Sequence, residues 1–325
     1  KNGHKTNNYA VCDYFFLCSE GFLVYFLKHG FYNKPVEKET DSMINKWQIT
    51  IPELSGEEKR NVYLYLPESY LYEQEKRYPV LYMFDGHNVF FDSDATYGKC
   101  WGMKEYMDRT GRQLIIVAVE CSHDPDNGRL KEYSPFPFTA PNIGKIPAWG
   151  KQTMEWMIHT LKAQIDRDYR TLPDREHTFI AGSSMGGLMS LYAVLAYNDV
   201  FSKAAALSPS IWTNMTQINK LIREAELAPD TTVYMDYGAN EITFHAVMRK
   251  QFRKVTDLLL SRDVLLTSRI VPNGDHCEAC WEKQIPYFMD ALFYPETKYI
   301  RCEMTPTSLG GEEQISISGG SQSPI

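Results

Sequence analysis

Positive charge is in short supply in this chain. It carries 34 Lys and Arg against 41 Asp and Glu, a formal net charge of −7, and no basic cluster interrupts that balance. A phosphate-backbone footprint is therefore excluded, and nucleic acid is not an expected partner. Long apolar runs are missing too. Tyr14-Phe15-Phe16-Leu17-Cys18 and Phe22-Leu23-Val24-Tyr25-Phe26-Leu27 are split by Ser19-Glu20-Gly21, so neither reaches the roughly 20 residues of a bilayer-spanning helix. No small-residue cleavage site follows them convincingly, and stable membrane insertion is not expected. Cysteines are few and odd in number, seven in 325 residues, which suits reduced thiols in a cytoplasm better than a disulfide framework. Cys277-Glu278-Ala279-Cys280 lacks the second thiol pair that a zinc site of this type needs, and no metal is expected.

What is present is a long alternation of strand-like and helix-like segments. Residues 1–42 read as a leader, non-native or poorly structured, with the domain starting at Met43. Residues 296–325 read as a disordered tail, since 303–325 are rich in Ser, Gly and Thr without periodicity. Between them, 43–295 form the folded domain. Strands are expected at 47–51, 61–66, 80–84, 114–119, 178–181, 204–207, 232–235 and 268–271. Helices are expected at 151–169, 187–197, 215–225, 244–260 and 277–292. Segments 80–84 and 114–119 are continuously apolar, the pattern of strands covered on both faces of a parallel sheet. A β-rich start followed by β-α units predicts one three-layer α/β domain.

One junction in that alternation has chemical meaning. Gly182-Ser183-Ser184-Met185-Gly186 is G-x-S-x-G between an apolar strand and an apolar-rich helix. A tight turn there lifts Ser184 from the sheet edge, with the Met185 N–H aimed at the same point. A serine at neutral pH also needs a base, and the base an orienting acceptor. His276 follows the last strand in a Gly-containing loop, at the same carboxyl edge as Ser184. The acid comes from the loop after 232–235, where Glu241 is preferred and Asp236 is the alternative. Asp275 adjoins the base in sequence and orients it poorly. An oxyanion needs two fixed donors: the Met185 N–H, and one from the Gly86-His87-Asn88 loop, assigned to His87. Asn88, Arg129, Tyr133 and Trp212 are candidate substrate-binding residues, and Trp149 a weaker candidate for a lid.

These residues carry a resemblance. Met83-Phe84-Asp85-Gly86-His87-Asn88-Val89-Phe90-Phe91, Glu132-Tyr133-Ser134-Pro135-Phe136, the elbow at 182–187, Leu207-Ser208-Pro209-Ser210-Ile211-Trp212 and Gly274-Asp275-His276 are similar to motifs of the esterase-D-like esterases of the α/β-hydrolase superfamily. That group includes feruloyl, acetyl xylan and siderophore esterases and mycolyltransferases. The resemblance spans about residues 43–295. It implies an eight-stranded, mostly parallel sheet flanked by helices, a triad of Ser184, His276 and Glu241, and no cofactor. Asp is common at the acid position in relatives. A disulfide clamp known in fungal tannase-type relatives cannot form here, because Ser183 stands where its partner cysteine would be. The expected activity is hydrolysis of a carboxylic ester on a small molecule or oligosaccharide through an acyl-enzyme. The leaning is to feruloyl or acetyl esters of plant carbohydrate, with siderophore-ester or thioester hydrolysis, or acyl transfer, as the alternatives. A catalytically silent binding protein on the same fold is the non-enzymatic alternative. Oligomeric state is not legible in the sequence.

Overall fold

The computed structural model describes residues 43–140, 143–243 and 246–293, together with an antiparallel pair of two-residue strands, Tyr25–Phe26 and Phe31–Tyr32. Apart from that pair, the expected leader and the expected tail lie outside the described residues.

Eight strands form the central sheet: β1 (Met43–Ile51), β2 (Gly56–Leu66), β3 (Val80–Phe84), β4 (Ile115–Val119), β5 (Thr178–Ser183), β6 (Lys203–Leu207), β7 (Thr232–Gly238) and β8 (Leu265–Val271). Their spatial order is β8-β7-β6-β5-β3-β4-β2-β1. Only β1–β2 and β2–β4 pair antiparallel; every other neighbouring pair is parallel. All eight expected strands are present, most of them a few residues longer than expected.

The sequence dictates how the sheet divides its core. Successive side chains of a strand point to opposite faces. Val80, Tyr82 and Phe84 of β3, with Ile115, Val117 and Val119 of β4, join one buried cluster. Leu81 and Met83, with Ile116 and Ala118, join the other. Helices Met185–Ala196, Met215–Glu224 and Ala246–Leu260 cover the first face through residues such as Leu188, Ile222 and Val255. Helices Met103–Thr110 and Ile285–Leu292 cover the second through Met107, Phe288 and Met289. This is the three-layer α/β-hydrolase architecture.

Two expected helices differ in detail. The segment Gly150–Asp168 is interrupted by a π-helical stretch, Met157–Lys162. The last helix breaks into Glu278–Glu282 and Ile285–Leu292, with Pro286 in the first turn of the second piece. Proline there gives up no intrahelical bond, whereas in a continuous helix it would. A small hairpin, Phe138–Ala140 with Gly144–Ile146, was not expected.

Candidate active site

The parallel strands all end on one edge, and the chemistry-bearing loops collect there. Ser184, between β5 and the helix Met185–Ala196, adopts φ 58° and ψ −120°. A non-glycine residue in such a region costs about 1–3 kcal/mol and must be held there by its surroundings. Here the Ser184 N–H donates to the Leu207 carbonyl at 2.9 Å, and the Ser184 carbonyl accepts the Ser210 N–H at 3.0 Å. The flanking glycines are a steric requirement: a Cβ on Gly182 would lie 2.7 Å from the Gly186 carbonyl carbon and oxygen. Ser184 is half-buried, and its Oγ lies 3.5 Å from Ser210 Oγ.

Glu241 and His276 arrive from β7 and β8, two neighbouring parallel strands. Gly238 ends β7, and a Cβ there would sit 2.3 Å from the Gly274 carbonyl oxygen. The two loops therefore run in backbone contact, fastened by the Asn240 N–H on the Gly274 carbonyl (3.0 Å) and by Asn240 Nδ2–H on Asp275 Oδ1 (2.8 Å). In this frame His276 Nδ1 and Glu241 Oε2 are 2.6 Å apart. The other carboxylate oxygen accepts from Ser208 Oγ–H (2.7 Å) and the Gly238 N–H (2.9 Å). Trp281 Nε1–H in turn donates to Ser208 Oγ at 3.1 Å. Burial works to raise the Glu241 carboxyl, but the bonds from His276 and Ser208, the His276 charge and the Gly238 N–H together hold it below the usual carboxylate range. Trp281 also meets the imidazole edge-on, with centroids 5.1 Å apart. No hydrogen bond joins Ser184 to His276 among the described residues.

Asp236 is placed otherwise. It is 1% exposed, and its carboxylate accepts from Tyr234 Oη–H (2.7 Å) and the Ser208 N–H (3.2 Å). Burial pushes its carboxyl up to about 7. The carboxylate that meets His276 is that of Glu241.

The turn after β3 faces the elbow. Asp85 takes a left-handed φ of 57°, and Gly86–Asn88 follow as a single 3-10 turn. Arg129 holds Asp85 in that conformation with two 2.7 Å bonds, and Tyr133 Oη accepts the Asp85 N–H at 3.1 Å. The Asn88 and Val89 N–H groups close the turn onto the Asp85 and Gly86 carbonyls. The His87 N–H precedes the first of these bonds, as the Met185 N–H precedes those of its helix, so both donors are left over from their turns. The His87 ring is buried; Nε2 sits 3.0 Å from Thr96 Oγ1, and Nδ1 has no partner. Burial lowers its pKa, leaving a neutral imidazole near pH 7.

The four residues expected to touch substrate are therefore placed unequally. Arg129 and Tyr133 reach the backbone and carboxylate of Asp85 and brace the turn from behind. Asn88 Oδ1 accepts the Thr96 N–H at 2.9 Å. Trp212 is 45% exposed, two residues beyond Ser210, and packs edge-on against Phe138 of the small hairpin at 5.9 Å. Sequence reasoning assigned no part to Ser208, Ser210, Asp85 or Asn240. Three of these lie inside the quoted motifs, and Asn240 adjoins the expected acid, but nothing in the linear pattern says which polar side chain turns towards which. Two clusters could hold a cation, Asp85–His87–Cys121 and His87–Glu120–His123; in the first, Asp85 is already bound by Arg129.

Comparison with known proteins bears on the family and the fold. Residues 54–290 match the family model described as "Putative esterase". A Bacillus subtilis protein, the uncharacterized protein YbbA, is 25% identical over 185 residues, 56% of this chain and 69% of that protein. A solved ferulic acid esterase superposes with a TM-score of 0.57 at 19% identity, over 78% of this chain and 97% of its own. An IroE-like serine hydrolase from Shewanella oneidensis does so at 0.61 and 17% identity, over 77% and 79%. A siderophore hydrolase, EstA from Aspergillus nidulans, gives 0.57 at 15% identity, over 82% and 100%.

Proposed function

This chain belongs to the Putative esterase family, and on that footing we propose that it is a serine carboxylic-ester hydrolase with Ser184 as nucleophile, His276 as base and Glu241 as the orienting acid. The observation that carries the reading is the 2.6 Å contact of His276 Nδ1 with a Glu241 carboxylate otherwise fully engaged. That carboxylate fixes Nδ1–H and leaves the Nε2 lone pair for Ser184.

In the first half-reaction Nε2 takes the Ser184 proton as Oγ attacks the ester carbonyl. The tetrahedral oxyanion forms between the N–H groups of Met185 and His87, each worth on the order of 10²–10³ in rate. Nε2–H then protonates the departing alcohol. Water repeats the sequence on the acyl-enzyme and frees the acid and Ser184. Glu241 keeps its proton count throughout and balances the imidazolium. The Ser184–His276 contact tightens when substrate fills the cleft, as such bonds commonly do.

The acyl group is proposed to be aromatic. Trp212 presents an exposed indole on the turn that carries Ser210, and Phe138 backs it, a wall suited to stacking a planar acid such as ferulate. Feruloyl esters of plant carbohydrate are the leading substrate class. The same wall suits catecholate siderophore esters, the second reading, and solved structures of similar fold include both a ferulic acid esterase and a siderophore hydrolase.

A fluorophosphonate probe tests the chemistry. The wild-type protein is expected to lose activity with one adduct on Ser184, and Ser184→Ala to take none. An unlabelled Ser184 in folded wild-type protein refutes the proposal. Methyl ferulate against p-nitrophenyl acetate, in wild type and Trp212→Ala, tests the substrate class. A loss in kcat/KM confined to the ferulate supports an aryl site at Trp212, and equal losses on both esters refute it.

A further inference from the structure

His87, buried to 5% exposure with an orphaned Nδ1, has a use beyond its backbone. We infer that a ring nitrogen of His87, with Glu120 Oε1 and His123 Nε2, forms a site for a divalent transition-metal ion of the zinc class. The ligand atoms come from the β3 turn and the loop after β4, and one from each residue lies within 4.8 Å of the other two.

Three observations carry this. First, the spacing suits one ion: His123 Nε2 and Glu120 Oε1 are 3.3 Å apart. Two ligands at about 2.1 Å on a tetrahedral zinc ion are separated by roughly 3.4 Å. The two imidazole centroids are 5.4 Å apart, which lets both rings address a point between them. Second, the ligands are aimed by outer partners. Glu120 Oε2 accepts the Asn61 N–H (2.7 Å) and Nδ2–H (2.9 Å), which turns Oε1 to His123. His87 Nε2 meets Thr96 Oγ1, and the loop carrying His123 is pinned by its own N–H on Glu58 Oε1 (2.6 Å). Metal-binding histidines and carboxylates characteristically have such support. Third, His87 Nδ1 is a buried polar atom without a partner, a state uncommon enough in folded proteins to call for an explanation.

The set is two histidines and one carboxylate, with the His123 side chain 55% exposed at the rim, so a water would complete a four-coordinate ion. Binding would tie the β3 turn to the β4 loop. This site does not depend on the esterase reading.

The test is calorimetric titration of the chelator-treated full chain with Zn2+, repeated on His123→Ala and Glu120→Gln, with folding checked by thermal melts. One site per chain is expected in wild type, weakened at least 100-fold in His123→Ala, with a zinc-dependent rise in Tm that this variant loses. Co2+ should give four-coordinate visible bands without a thiolate charge-transfer band. No binding to wild type, or unchanged affinity in folded His123→Ala, overturns the inference. A thiolate band overturns it as well, because the inferred ligand set holds no cysteine, whereas the neighbouring Asp85–His87–Cys121 cluster does.

Discussion

Replacing Glu241 by Gln changes no volume and removes one charge, yet its consequence can be worked out from the bonds around it. An amide has one acceptor oxygen and one donor nitrogen, and two orientations are open to it. The Gly238 N–H reaches the inner oxygen at 2.9 Å, and an N–H can only donate. Setting the amide NH2 against it would strand a buried donor at a cost of about 1–3 kcal/mol. The amide oxygen therefore stays on Gly238 and Ser208, and the NH2 faces His276. His276 Nδ1, which faces Glu241 at 2.6 Å, must then accept rather than donate, and the ring proton moves to Nε2, the atom meant to receive the Ser184 proton. The base is occupied before it can act. In a serine triad the equivalent wrong tautomer lowers kcat by on the order of 10⁴, about 5 kcal/mol of transition-state stabilisation. We expect that loss in kcat on p-nitrophenyl acetate, with KM and Tm close to wild type because packing is preserved. A loss under tenfold, or a larger one in Asp236→Asn, would refute the assignment of Glu241.

Asp236→Asn is expected to act on stability instead. The folded carboxyl lies at about 7 against an ordinary 3.8, so its contribution is fully present below about 3.8 and is lost as pH rises through 7. The always-neutral Asn should gain on wild type across that window by at most on the order of 4 kcal/mol; a Tm difference that does not change with pH contradicts this. Gly238→Ala would drive a Cβ to 2.3 Å from the Gly274 carbonyl oxygen, a backbone clash that no rotamer relieves. It should cost about 1–3 kcal/mol or more and depress kcat as well, and wild-type values of both would show that the two loops separate freely. Arg60→Met leaves Glu132, 1% exposed and bonded by both Arg60 terminal nitrogens, as an unpaired buried carboxylate. Denaturant unfolding should show a loss of about 3–5 kcal/mol, and a change under 1 kcal/mol counts against the pair.

Much of this fold was legible because burial on two faces writes itself into the sequence. Val80–Phe84 and Ile115–Val119 are apolar at every position, and the helices between strands keep their periodic apolar faces. The elbow was legible because steric need fixes glycine at 182 and 186 around a serine. Where the sequence said less, the cause was a contact made across the fold. Nothing local announces that residues 157–162 wind as a π-helix, or that 138–140 and 144–146 pair antiparallel with Phe138 against Trp212. Arg129 and Tyr133 sit in a polar loop that suggested substrate, but their partner is Asp85, 44 and 48 residues earlier. Which of Asp236 and Glu241 meets His276 depends on the bend at the end of β7, which the linear pattern does not announce. Glu120 and His123 are three residues apart, but His87 joins them only because β3, which precedes its turn, pairs in the sheet with β4, which precedes their loop.

The backbone contact between Gly238 and Gly274 has a mechanical corollary. Glu241 and His276 follow adjacent strands whose loops are strapped together, so a displacement of one loop carries the other. Ser184 sits at the end of β5 near the centre of the sheet, locked to the end of β6 by its bond to Leu207, and the next residue along, Ser208, reaches Glu241 through its Oγ–H. Under the proposed roles, the segment that follows β6 therefore couples the nucleophile to the acid–base pair, and a change in that segment is felt at both.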